Sequence, residues 1–206
     1  MVTEARERRL IFRGEEMADQ LYLSYWLRNF NAQNMLKHYE KLLKLFPYSR
    51  LARNPSTFKV IAIDYDQPTV LEVPFSSPIE IDKVVAAASE FQNPDSSYRL
   101  DTWWDLWQYD GDWKLTPTRV GLCCFGPEFA RIEEGDLGIE FGIDAHFLPQ
   151  RDTPNSVPMV QSNIKSLLKL VHDLDDALPV ERRRLWSESG EDFSEKLQQA
   201  LSGVTQ

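Results

Sequence analysis

Cysteine and histidine are scarce in this sequence, and long hydrophobic runs are missing from it. The 206 residues include two cysteines and three histidines. Cys123 and Cys124 are neighbours in the chain, so a disulfide between them would be strained. Since no disulfide framework is indicated, a reducing compartment is favoured. His38 and His172 flank the apolar stripes of their predicted helices, and we expect both to face solvent.

Membrane and secretion signals are missing as well. No apolar run approaches the roughly 18 residues that a membrane helix needs. The N-terminal segment MVTEARERRLIF has charges where a secretion signal has its apolar core. We therefore expect a cytoplasmic protein with no membrane partner.

The sequence also lacks the motifs of the common cofactor-dependent enzymes. It contains no G-x-G-x-x-G, Walker A, G-x-S-x-G, H-E-x-x-H or paired C-x-x-C pattern. Asp110 and Asp112 form its densest acidic group with Asp101 and Asp105, but they flank a tight turn that is too short to wrap a cation. We predict no cofactor and no metal site.

The charge balance narrows the choice of partners. Asp and Glu number 32 against 23 Lys and Arg, so the formal net charge is −9. A field of that sign repels phosphate backbones, which makes nucleic acid a poor default partner. We interpret the basic clusters Arg6–Arg9 and Arg182–Arg184 as solvated surface. Aromatic residues make up 12% of the chain, with six Trp, and these large side chains require packing partners or a binding role.

Hydrophobic periodicity predicts a mixed α+β protein. Residues 1–19 form a charged N-terminal segment, and Met17 is a candidate start of the native protein. Residues 20–148 form a sheet domain, and residues 149–206 add a C-terminal helical segment to that domain. The period-two and period-3.6 patterns of the first half predict a β-α-β-β-α-β order, typical of a ferredoxin-like core. The predicted elements are strand 20–28, the helix with Met35, Leu36, Tyr39, Leu42, Leu43 and Phe46 inward, strands 58–63 and 70–73, a helix near Asp82 and strand 98–109.

The second half predicts an extension of the same sheet. Strands 119–125 and 137–143 are expected to pair as a hairpin. Three helices are then predicted: a long one from about residue 160 to 178, a short one around 182–186, and an amphipathic one carrying Phe193, Leu197 and Leu201.

The Asp110-Gly111 pair predicts a two-residue hairpin turn, which fixes the pairing of the flanking strands. In that register Tyr109 pairs with Asp112 and Trp107 with Lys114, which suggests a cation–π pair. The predicted core face carries Trp104, Leu106, Trp113 and Leu115. The opposite face would offer a ligand or interface surface made of Trp103, Asp105, Trp107, Tyr109, Lys114 and Arg119.

The alternation of side chains along a strand places further residues on this surface. Gly138, Glu140, Gly142 and Asp144 share one side of their strand, and aromatic walls with glycine gaps could hold a small molecule. Covering helices or a second subunit are the alternative explanation of the same pattern.

A catalytic interpretation rests on His146, which follows Asp144 by two residues. An Asp that orients a His is half of a general-base apparatus. Cys123 or Cys124 would supply the nucleophile and Glu140 a further acid.

Three function classes follow from these patterns. The first is a non-catalytic interaction or small-ligand-binding protein that self-associates, as a dimer, through its aromatic sheet face or the 160–178 helix. The second is a small-molecule enzyme, hydrolase-like, with the acid, histidine and cysteine residues above. The third is a nucleic-acid-associated protein that uses Arg182–Arg184.

Overall fold

The structure is a computed structural model, and it describes residues 19–130, 135–149, 153–189 and 192–202. The predicted charged segment 1–19 lies, apart from Asp19, outside the described residues. So does the candidate start at Met17.

The described residues form one seven-stranded sheet in which every pairing is antiparallel. The spatial order of the strands is β3-β2-β4-β5-β6-β1-β7. Their bounds are β1 Gln20–Leu27, β2 Ser56–Ala62, β3 Thr69–Phe75, β4 Ser96–Tyr109, β5 Trp113–Phe125, β6 Leu137–Ile143 and β7 Val180–Ser187.

Four helices in the described residues contribute buried side chains to the core on one face of this sheet. Their bounds are α1 Met35–Leu45, α2 Ile81–Glu90, α3 Ser156–Ala177 and α4 Phe193–Ser202. The strands supply the other half of that core through alternate residues, because successive strand side chains point to opposite faces. In β1 these are Leu21, Leu23, Tyr25 and Leu27, each at most 5% exposed. The apolar stripe predicted for α1 is confirmed, since all six of its residues are buried.

The mixed α+β class is confirmed, whereas the ferredoxin-like arrangement is not. The chain does follow the predicted β-α-β-β-α-β order up to β4. In space, however, β1 is separated from β2 by β6, β5 and β4. A split β-α-β unit would place a single strand between them. The predicted pairing of β5 with β6 is confirmed.

The short helix predicted around 182–186 is wrong, because these residues lie in strand β7. β7 pairs with β1, with Leu23 opposite Leu185 and Tyr25 opposite Arg183. Three successive arginines obscure the alternation that would have revealed a strand. Charged side chains are common on edge strands, where they discourage pairing with another chain.

The predicted register of the β4–β5 hairpin is wrong by one residue. Tyr109 pairs with Trp113, Trp107 with Leu115 and Gln108 with Lys114, across a loop that spans residues 110–112. The extra loop residue transfers every β5 side chain to the other face. Leu115 therefore does not share the face of Trp104 and Leu106, whereas Trp113, near the end of the hairpin, still packs against the edge of their core cluster. Lys114 does not share the face of Trp107, and the predicted cation–π pair is not formed.

No helix within the described ranges is both long and apolar enough to cross a membrane.

Candidate functional site

One face of the sheet carries the helices, and the opposite face, here called the open face, is covered by no helix that the structure describes. Cross-strand pairing brings side chains of six neighbouring strands together on it. The residues used below are Tyr22, Ser24 and Trp26 on β1, Lys59 on β2, Arg99 and Asp101 on β4, Arg119, Gly121, Cys123 and Phe125 on β5, Gly138 and Glu140 on β6, and Arg182, Arg184 and Trp186 on β7.

An ion-pair network occupies the centre of the open face. Arg99 donates from Nη1 and Nη2 to the two Glu140 carboxylate oxygens at 2.5 and 2.6 Å. Its Nε donates to Asp101 Oδ1 at 2.7 Å. The second Asp101 oxygen accepts from Arg119 Nη2 at 2.9 Å and lies 3.7 Å from Lys59 Nζ. Bidentate pairs of this kind fix side-chain geometry as well as charge, so the centre of the face is held in one arrangement.

Gly121 makes this network possible. β5 lies between β4 and β6, so the Arg99 and Glu140 side chains must meet above its backbone. A Cβ atom at Gly121 would stand 2.7 Å from Arg99 Nη2 and 3.3 Å from Glu140 Oε2. The first of these distances is a steric clash, so any side chain at this position would displace the Arg99 guanidinium from its place.

The network favours the charged forms of Asp101 and Arg99. Burial alone would raise the pKa of Asp101, but the charges and hydrogen bonds of Arg99 and Arg119 outweigh it and lower that pKa below its ordinary value. Burial alone would lower the pKa of Arg99, but the charge of Cys123 and the hydrogen bond and charge of Glu140 raise it. Both changes favour the charged forms.

Aromatic and arginine side chains stack at the β1–β7 side of the open face. The Tyr22 and Trp186 rings lie 4.5 Å apart at an interplanar angle of 20°, and Trp186 Nε1 donates to Ser24 Oγ at 3.1 Å. The Arg182 guanidinium lies over the Trp26 ring, 3.7 Å from its centroid. Stacking on a ring restricts a long arginine side chain while leaving its N–H groups at the surface.

Two depressions accompany these side chains. An apolar one of about 20 Å³ is lined by Tyr22, Cys123, Phe125, Gly138 and Trp186, among others. An open one of about 540 Å³ lies over the ion-pair network, with Arg99, Arg119 and Glu140 in its lining. The first has room for about one water molecule, and the second has the volume of a small-molecule site but charged walls.

The structure assigns local roles to several residues of the predicted ligand or interface surface. Asp105 accepts from Ser49 Oγ and, at 2.8 Å, from the Arg50 backbone N–H, so it anchors the chain that follows α1. Trp103 Nε1 donates to the Pro55 carbonyl at 3.4 Å. By strand parity Trp103, Asp105, Trp107, Tyr109 and Arg119 share one face, whereas Lys114 lies on the other.

Asp144 and His146 are not brought close to Cys123, whereas Glu140 and Cys123 both contact Arg99 Nη1. Asp144 and His146 belong to a 3-10 turn at Asp144–Phe147. Asp144 accepts from the Asp19 backbone N–H at 3.2 Å and from Lys196 Nζ at 3.1 Å. Cys123 pairs with Gly138, which is six residues from Asp144, and at about 3.3 Å per residue this separates them by about 20 Å.

The remaining catalytic candidates each have their own surroundings. Cys124 lies on the core side, where Sγ is 3.8 Å from the Met35 carbonyl oxygen. Glu140 belongs to the ion-pair network. The His146 Nδ1 atom is buried and has no hydrogen-bond partner among the described residues. Burial lowers the pKa of His146, although the charge of Asp144 opposes this.

The expectation that His38 faces solvent is wrong. Its side chain is only 8% exposed, and its Nδ1 has no hydrogen-bond partner in the part of the chain that the structure describes. Burial lowers the pKa of His38, and the charges of Lys41 and Lys37 add to this effect. His172, by contrast, is exposed.

Sequence reasoning missed most of the open face. Tyr22 and Trp26 share the β1 face opposite Leu21 and Leu23, a pattern that the sequence does show. Arg99 shares its β4 parity with Trp103, so its side of the strand could also be predicted. Nothing in the sequence, however, indicates that Glu140 reaches Arg99 across Gly121.

Comparisons of the chain with protein-family models, with curated proteins and with solved structures find no match.

Proposed function

We propose that this protein is a non-catalytic binding protein that binds another protein chain through its open face. The observation that carries the proposal is the pair of stacks on that face, Tyr22 with Trp186 and Trp26 with Arg182. Trp, Tyr and Arg are the residues that dominate the binding energy of protein interfaces. Contacts within the chain already order these four side chains, which reduces the entropy lost on binding.

The size and shape of the face support a protein partner over a small molecule. The apolar depression of about 20 Å³ is far smaller than the roughly 300–1,000 Å³ of a small-molecule site. A surface with aromatic side chains at one side and a fixed charge network at its centre suits recognition by another broad surface. The cytoplasmic location predicted from the small cysteine content is part of this proposal.

A small polar ligand is the second candidate, and Arg119 is the observation in its favour. Its side chain is 64% exposed and borders the depression of about 540 Å³. One Arg119 nitrogen binds Asp101, and the guanidinium carries further donors that suit a carboxylate. Arg119→Ala would abolish binding of such a ligand while leaving the Tyr22–Trp186 stack intact.

The enzyme and nucleic-acid alternatives receive less support. Asp144 and His146 lie apart from Cys123, as described above, and Arg99 holds Glu140 in the ion-pair network. Arg182–Arg184 do not form one basic strip, because Arg183 donates to Asp175 while Arg182 stacks on Trp26. Successive strand residues point to opposite faces, so a nucleic acid could not contact all three from one side.

The partner could be a second copy of this chain, and this version of the proposal can be tested without identifying another protein. Native mass spectrometry should show a species at twice the chain mass of 23.9 kDa. Trp186→Ala and Arg182→Ala should shift the population toward the monomer. Leu168→Ala is the matched control, because Leu168 is 54% exposed but lies on α3.

A wild-type monomer would direct the test to a different protein chain. A partner captured from the source cells and then purified should bind Trp186→Ala at least about tenfold more weakly than wild type, a difference of about 1.4 kcal/mol. Leu168→Ala should bind as wild type does. Equal affinity for wild type and Trp186→Ala would show that the open face is not the binding surface.

A further inference from the structure

Ile63, between β2 and β3, has a backbone conformation that isoleucine rarely adopts. Its φ is +73°, and the Asp64 backbone N–H donates to the Ala62 carbonyl at 2.9 Å. A hydrogen bond that spans one residue of positive φ defines the rare and strained form of the γ-turn. A β-branched side chain adds to that strain.

Backbone contacts from two other segments hold the strained turn in place. The Ile63 N–H donates to the Asp95 carbonyl at 2.7 Å, and the Ile63 carbonyl accepts from the Ala130 N–H at 2.8 Å. The Ile63 side chain is nevertheless 55% exposed, so burial within the chain does not compensate for the strain. Strain that the surrounding structure enforces is concentrated at binding and active sites.

An apolar base lies beneath Tyr65, two residues after Ile63. Cys123, Phe125 and Phe129 form a buried cluster separate from the main core, with Ile61 packed against it. The Tyr65 ring stands edge-on to Phe129 at 5.2 Å and remains 46% exposed. Ile63, Tyr65 and Phe129 are called the Ile63 patch below.

Carboxylates predominate in the described segments around the patch, and the flanking cations Lys59 and Arg99 are ion-paired with Asp101 and Glu140. The segments that meet here, residues 60–68, 92–98 and 124–130, contain Asp64, Asp66, Asp95 and Glu128 and no Lys or Arg. A partner that contacts the patch is therefore attracted by positive charge and repelled by negative charge. The net charge of −9 adds a long-range attraction of the same kind.

We propose that the Ile63 patch binds a cationic protein segment, which packs an apolar side chain against Ile63 and Tyr65 and pairs its Lys or Arg residues with the four surrounding carboxylates. The inference rests on the proposed function and specifies the chemistry of the partner. The patch lies at the end of the open face, beyond Ile61 of β2 and Phe125 of β5. A partner that covers the open face can reach it.

The first test uses a peptide of defined composition and the full-length protein. Positions 5–13 of this chain, ARERRLIFR, combine four arginines with three adjacent apolar residues, and a synthetic peptide of that sequence is the probe. In a two-dimensional NMR titration, the amide chemical shifts of Ile63, Tyr65 and Phe129 should change as the peptide is added. The affinity for the peptide should fall as the salt concentration is raised. A peptide with glutamate in place of each arginine should cause no shifts. Absence of shifts with the arginine peptide, or shifts confined to other parts of the chain, would overturn the proposal.

Substitutions at the patch distinguish a role in binding from a role in folding. Ile63→Gly relieves the positive-φ strain, so we expect its Tm to be equal to or above that of wild type while peptide affinity falls about tenfold. Tyr65→Ser should weaken the peptide similarly. Val70→Ser is the control, since Val70 is 50% exposed on the neighbouring strand outside the patch. If Ile63→Gly instead lowers the Tm by more than about 2 °C, equivalent to about 1 kcal/mol in a chain of this size, the isoleucine serves the fold and the proposal fails.

Trp186→Ala distinguishes this inference from the proposed function. The variant should bind the arginine peptide as wild type does, because four strands separate β7, which carries Trp186, from β2, which precedes Ile63. Suppose that the arginine peptide binds and that Trp186→Ala still self-associates as wild type does. The β1–β7 stacks would then not belong to the binding surface, whereas the patch would. If the arginine peptide does not bind and Trp186→Ala loses self-association, the inference about the patch fails and the proposed function stands.

Discussion

Arg99 and Glu140 form a bidentate ion pair directly above the backbone of Gly121, a residue of the strand that separates theirs. The pair connects β4 with β6 without any backbone hydrogen bond between those strands. Two charged groups and one missing side chain therefore act as a unit, and a change at any of the three affects the others.

Gly121→Ala should reveal this dependence. The new Cβ would stand 2.7 Å from Arg99 Nη2, so the guanidinium must move and its hydrogen bonds to Glu140 weaken. Disturbing a charged hydrogen-bonded pair costs about 1.5–3 kcal/mol, and thermal unfolding should show a Tm lower by about 3–10 °C.

Gly138→Ala is the matched control for that substitution. Gly138 lies on the same face, but the nearest atom to its Cβ would be Phe125 Cε2 at 3.4 Å, close to an ordinary contact. A Gly138→Ala protein that melts as low as Gly121→Ala would show that loss of a strand glycine, and not the ion pair, explains the effect.

Asn163 should be critical for attaching α3 to the β4–β5 hairpin. Its side chain is 2% exposed; Oδ1 accepts from the Trp107 N–H, and Nδ2 donates to the Trp107 and His146 carbonyls. Asn163→Leu would leave these backbone groups unsatisfied, and we expect a loss of about 2–3 kcal/mol in the free energy of unfolding. Urea denaturation measures that loss. Gln161→Ala, an exposed change on the same helix, should leave the urea midpoint within the error of wild type.

His38 should make stability depend on pH. Burial lowers its pKa from the ordinary value of 6.5, so the unfolded chain takes up a proton at a pH where the folded chain does not. Stability is therefore complete above about pH 6.5 and decreases as the pH falls below that value. The pKa of His146 is lowered in the same direction, and it contributes a decrease of the same sign.

A series of Tm measurements from neutral pH to about pH 5.5 checks the His38 prediction. His38→Gln should reduce the slope of Tm against pH, because its side chain does not titrate. Identical slopes for wild type and His38→Gln would contradict the assignment of the pH dependence to buried histidine.

Local periodicity predicts much of this fold, because the strands and helices each bury one stripe of side chains. The buried face of β1, the stripe of α1 and the pairing of β5 with β6 all follow from residues near one another in the chain. Spatial order does not follow from such patterns. β1 lies between β6 and β7, and no local signal around Leu23 specifies Ile139 and Leu185 as its neighbours.

Two errors in the prediction have local physical causes. The Asp110-Gly111 pair is typical of a two-residue turn, but Asp112 also belongs to the loop. That single residue led the prediction to place Lys114 and Leu115 on the wrong faces. In β7, the charges of Arg182–Arg184 hide an edge strand whose alternation is visible only in Leu185 and Trp186.

The central features of the open face could be predicted only in part. Parity places Arg99 and Glu140 on one side of their own strands. The contact between them depends on the strand order β4-β5-β6 and on the glycine in the middle strand. The strained turn at Ile63 has no sequence signal, since a positive φ is expected of Gly or Asn and not of isoleucine.

The position of β1 between β6 and β7 also has a consequence during synthesis on the ribosome. β1 is made before both of its partner strands, which are encoded more than 100 residues later. Its apolar side chains at Leu21, Leu23 and Tyr25 have no sheet neighbour until β6 emerges. The nascent chain therefore carries an unpaired hydrophobic strand while more than 100 further residues are translated, which is the condition under which chaperones bind and incomplete chains aggregate.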